Sequence, residues 1–92
     1  MIKKSQAETI KEILGPGFLL QIADRLFEKR ILSYRGKPFT SGYLSGVLNG
    51  NHSNTEVEDA IWELFEERTK QLEEKKQRRE AAIEAAKELT NG

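Results

Sequence analysis

The chain has no cysteine, and it has only one histidine, one tryptophan and two prolines among its 92 residues. Without cysteine there is no disulfide framework and no thiolate-held metal or redox centre, a pattern that suits a cytoplasmic protein. His52 is the only histidine, and no phosphate-loop motif accompanies it. Catalysis needs converging acid, base or nucleophile groups, so no catalytic residue, metal, cofactor or small-molecule substrate is expected. No apolar run approaches the ~20 residues of a membrane span. The opening MIKKSQAETIKE also lacks the apolar stretch of a secretory signal, so no membrane partner is expected either.

Net charge is absent as well, but only in the sum, because 15 basic residues balance 15 acidic ones. Residues 25–54 hold Arg25, Lys29, Arg30, Arg35 and Lys37 against Glu28 alone, a local excess of +4. Residues 55–92 carry the compensating −4. Positive charge is therefore concentrated where it can act on a polyanion.

What is present is helical patterning. Ser5-Gln6-Ala7-Glu8 fits a capping box, and Ile10, Ile13 and Leu14 follow helical spacing up to the stop at Gly15-Pro16-Gly17. A second helix follows in FLLQIADRLFEK, with Leu19, Ile22, Ala23, Leu26 and Phe27 on one apolar face. Residues 30–39, RILSYRGKPF, read as a loop or a short β-hairpin over 31–39 turning near Gly36. Thr40 or Ser41 caps a third helix that runs to about Asn49, with Gly50 as its left-handed stop. Thr55-Glu56-Val57-Glu58 is a second capping-box match, and nothing breaks helix from there to Asn91-Gly92. Val57, Ala60, Ile61, Leu64 and Phe65 give that last helix a core face with Trp62 at its edge, and beyond Arg68 the apolar side thins. The expected fold is thus all-α, a bundle of about four helices with a long C-terminal one. Residues 1–68 form the domain, and 69–92 a charged helical extension.

The third helix poses a question. In TSGYLSGVLNGNHSN it carries Gly42 and Gly46, and each interior glycine costs a helix roughly 0.8–1 kcal/mol relative to alanine. A helical projection puts Leu44, Val47 and Leu48 on the core side and Gly42, Gly46 and Asn49 opposite them, with Tyr43 and Ser45 on the flanks. Bare positions on an outward face suit a helix lying deep in a DNA major groove. The competing account is a marginal helix seated on another protein.

The same residues carry a resemblance. Gln21-Ile22-Ala23-Asp24-Arg25-Leu26, followed by Thr40-Ser41-Gly42-Tyr43-Leu44-Ser45-Gly46-Val47-Leu48-Asn49-Gly50, resembles the two helices of the lambda-repressor-like (XRE and Cro group) helix-turn-helix domain. It spans about residues 5–68. The resemblance implies a sequence-specific DNA-binding protein, a transcriptional regulator of the prokaryotic or phage kind, with recognition helix 41–49 in the major groove of double-stranded DNA. It places base-reading groups at Ser41, Gly42, Tyr43 and Gly46, and phosphate contacts at Asn49, Asn51 and His52. The chain departs from the family in one respect. Ala23 and Leu44 stand 21 positions apart, about twice the family's usual spacing, so the inserted loop is basic and aromatic. Arg35 and Lys37 on that loop, with Thr40 and Ser45, complete the expected DNA-binding set. The alternative function is a protein-interaction or assembly module acting through the long C-terminal helix, and either reading admits a homodimer through that helix.

Overall fold

A computed structural model describes residues 1–33 and 36–91, the last by its backbone alone. Four helices follow in order: α1 (Lys4–Leu14), α2 (Phe18–Glu28), α3 (Ser41–Leu48) and α4 (Thr55–Asn91). The fold is all-helical. The opening turns of α4 form a floor on which α1, α2 and α3 all pack, and α2 also packs on α3. Val57, Ala60 and Ile61 of α4 are fully buried, at the i, i+3 and i+4 spacing that makes one helical face. Ala7, Ile10 and Leu14 of α1, Ile22 and Leu26 of α2, and Leu44, Val47 and Leu48 of α3 close over them. No polar or charged side chain is buried among the described residues.

Helix starts differ from the sequence reading in two places. α1 begins one residue earlier, after Lys3, whose backbone N–H donates to the Gln6 side-chain oxygen at 2.9 Å. Ser5 therefore lies inside the helix. α4 is capped by Asn54 rather than Thr55: Val57 N–H donates to Asn54 Oδ1 at 3.2 Å, and Glu58 N–H donates to the Asn54 carbonyl at 2.9 Å. An Asn cap satisfies a backbone donor that the first helical turn leaves free.

The end of α2 explains a third difference. Arg30 takes the left-handed conformation at φ 59°. Its N–H donates to the Phe27 carbonyl and the Ile31 N–H to that of Leu26. These two bonds form a Schellman stop, with Ile31 packed back on the core. Phe27, whose carbonyl accepts in this stop, is 72% exposed, contrary to its place on the predicted apolar face. After the stop, the described residues of 31–39 form no strand. Gly36 N–H donates to the Ser33 carbonyl and Ser33 N–H to that of Lys37, so the hairpin expectation reduces to a turn. Tyr34 and Arg35, which that expectation included, lie outside the described residues.

Every described side chain from Glu66 to Thr90 is exposed. The molecule is accordingly elongated, 66 × 27 × 19 Å, with a radius of gyration of 17.9 Å. No helix among the described residues is long and apolar enough to cross a membrane.

Candidate nucleic-acid interface

Local chemistry sets both ends of α3. Thr40 Oγ1 accepts from Tyr43 N–H at 3.1 Å and caps the helix start. At the other end, Gly50 sits at φ 81°, its N–H donates to the Val47 carbonyl, and Asn51 N–H donates to that of Gly46 at 2.7 Å. A Cβ on Gly50 would lie 2.5 Å from the Ile2 carbonyl oxygen, so the N-terminal strand of chain also demands glycine there. Leu44, Val47 and Leu48 anchor the helix in the core with 1% exposure or less.

The Schellman stop at Gly50 reverses the chain and carries His52 back over the last turn of α3. His52 N–H also donates to the Gly46 carbonyl, at 3.2 Å. A Cβ on Gly46 would lie 2.3 Å from His52 Cδ2 and 2.8 Å from its Nε2. Gly46 is therefore buried under the imidazole and is not an approach surface, which corrects the outward placement inferred for it. Only Gly42 remains open, with nothing within 4 Å of its missing Cβ.

His52 also stacks on Tyr43, and Tyr43 on Phe39, with ring centroids 5.2 and 5.3 Å apart and planes within 11° and 13°. Tyr43 OH accepts from Asn54 Nδ2 at 3.1 Å. Since Asn54 is the cap of α4, this contact ties the two helix starts together. Tyr43, Gly46 and His52 thus form a packing unit that fixes α3 against the turn. The i, i+4 spacing of Phe39 and Tyr43 was a visible hint of it.

Ser41, Ser45 and Asn49 fall at i, i+4 and i+8 and share one face, with Gly42 beside them. Asn49 Nδ2 donates to Ser45 Oγ at 3.2 Å, and Lys11 of α1 donates to Asn49 Oδ1 at 2.6 Å. Lys11 is the cation that the sequence reading missed. It lies 38 positions from its partner, and no local pattern announces such a contact. Asn51 is exposed in the turn after α3. Lys37 and Thr40 stand on the rim of a cleft of about 700 Å³ shared with Leu32, Phe39 and Tyr43. Arg35, also expected at the interface, lies outside the described residues.

The basic segment is partly spent within the fold. Arg25 forms a two-pronged pair with Glu67, one arm at 3.0 Å, and reaches Glu63 at 3.6 Å. Lys29 pairs with the same Glu63. The hydrogen bond from Arg25 holds the Glu67 carboxyl below the ordinary glutamate range, and the same bond raises the Arg25 guanidinium. These two cations brace α2 on α4 and are not free to neutralise phosphates, as the charge count had suggested. Among the described residues there is no cluster of metal-binding side chains. Neither a family model, nor a curated protein, nor a solved structure matches the chain.

Proposed function

We propose that the protein is a sequence-reading DNA-binding module of the helix-turn-helix kind, a transcriptional regulator of prokaryotic or phage type. The observation that carries this reading is the polar stripe of Ser41, Gly42, Ser45 and Asn49 on the outer side of α3, whose inner side is held rigidly by Leu44, Val47 and Leu48. A helix so presented fits a major groove about 12 Å wide. Hydroxyl and amide groups on its edge exchange hydrogen bonds with base edges, while Lys11, bonded to Asn49, stands beside it for a phosphate. Each phosphate neutralised contributes about −0.9 to the slope of log K against log salt, and with Arg25 and Lys29 held by Glu67 and Glu63 those two add little to it.

Selection from a random duplex pool, followed by fluorescence anisotropy on the winner, tests the reading. Gly42→Leu has room in the free protein, so its thermal unfolding stays cooperative, and loss of duplex binding in that variant is the expected result. Lys11→Ala lowers the salt slope by about one. Equal binding by Gly42→Leu and the parent chain overturns the proposal.

A further inference from the structure

Beyond Glu67, the last α4 residue bonded to another helix, α4 continues with no cover from its own chain. Leu72, Ile83 and Leu89 are 38, 56 and 84% exposed there. Leu72, Lys75, Arg79, Ala82, Ala86 and Leu89 follow one another at alternating intervals of three and four, the spacing of a two-helix seam. Read forwards the seam runs leucine, two long basic residues, two alanines, leucine, and read backwards leucine, two alanines, two long basic residues, leucine. Each half complements the other half in size.

We propose that the α4 extensions of two copies of this chain pair antiparallel, about a two-fold axis between Glu80 and Ala81. In this register Leu72 meets the second copy's Leu89, Lys75 its Ala86 and Arg79 its Ala82. The long stems lie across the alanine methyls, and their charged ends reach water. Segment 75–79 carries four cations and no carboxylate. The antiparallel register sets it against 82–86, which carries Glu84 and no cation. A parallel register sets Lys75 and Arg79 on themselves, a like-charge contact in the seam. The overlap from Leu72 to Leu89 is about 27 Å of helix at ~1.5 Å per residue. It begins beyond Glu67, so the two globular ends stay apart. The pairing does not depend on what α3 binds.

The absence of cysteine makes a clean test. Leu72→Cys and Leu89→Cys are introduced singly in the full chain, on side chains that are already exposed. The reduced proteins are then oxidised in three samples, each variant alone and the two mixed beforehand. The expected result is a disulfide between the two variants in the mixture, well above its statistical share, with little cross-linking of either alone. Efficient self-cross-linking of Leu72→Cys signals a parallel pair and overturns the proposal. A monomer mass for the parent chain in sedimentation equilibrium at several hundred micromolar does so as well. Leu72→Asp, which leaves the helical body untouched, is expected to shift the parent's dimerisation at least tenfold towards monomer.

Discussion

Replacing Gly46 by alanine sets two effects against each other. Alanine favours the helix by about 0.8–1 kcal/mol over glycine. Its Cβ, however, would stand 2.3 Å from His52 Cδ2, so the imidazole must swing into solvent. That movement forfeits the stack on Tyr43, and such aromatic pairs are worth about 0.5–1.5 kcal/mol. The net change for Gly46→Ala is therefore within about 0.7 kcal/mol of zero. In a His52→Ala background nothing remains to displace, and the same substitution stabilises by the full propensity gain, about 0.8–1 kcal/mol. The two backgrounds differ by about 1 kcal/mol, which is roughly 4–8 °C in Tm for a domain of this size. Urea unfolding of the four proteins, followed by circular dichroism, measures that coupling. If Gly46→Ala stabilises both backgrounds equally, His52 does not sit over Gly46 and the glycine needs another explanation.

Three further substitutions follow from the same geometry. Gly50→Ala meets both a left-handed backbone and the Ile2 carbonyl. Since the backbone alone costs roughly 1–2 kcal/mol, a loss above that figure in chemical denaturation is expected, and a smaller one contradicts the close approach. Asn54→Ala removes the α4 cap and the Tyr43 contact. It is expected to destabilise by about 1–2 kcal/mol, whereas Thr55→Ala changes little. For Glu67 the sign follows from its lowered carboxyl. Its contribution is present above the unfolded glutamate range and is lost as pH falls below that range through the lowered folded value. Parent and Glu67→Gln should therefore differ in Tm at pH 6–7 and converge in acid, once the lowered carboxyl is protonated. A difference that persists in acid refutes the role given to the Arg25 pair.

Much of this architecture was legible in the residue order. Apolar spacing marks Ile10 and Leu14, Ile22 and Leu26, and Leu44 with Val47 and Leu48, and all are core. Gly50 as a left-handed stop was readable because few other residues adopt that backbone comfortably. The fate of Gly46 was not. A helical projection says which way a position faces on its own helix, but not whether the chain returns over it, and His52 returns only after the turn at Gly50 is built. Arg25 and Lys29 mislead in the same way, because their partners Glu67 and Glu63 lie 42 and 34 positions on. A charge total by segment treats such cations as free. Of the positions that periodicity turned outward on α3, Gly42 and Asn49 are exposed and Gly46 is not. Lys11, which bonds Asn49, belongs to a different helix, 38 positions away, and no local pattern brings the two together.

The length of α4 also decides how mass must be measured. A compact chain of this size has a radius of gyration of about 12 Å, and the value of 17.9 Å is that of a compact chain of roughly 250 residues. A single copy would therefore leave a gel-filtration column early, where a globular dimer or trimer elutes. Retention volume alone would report self-association whether or not any occurs, so light scattering must decide stoichiometry.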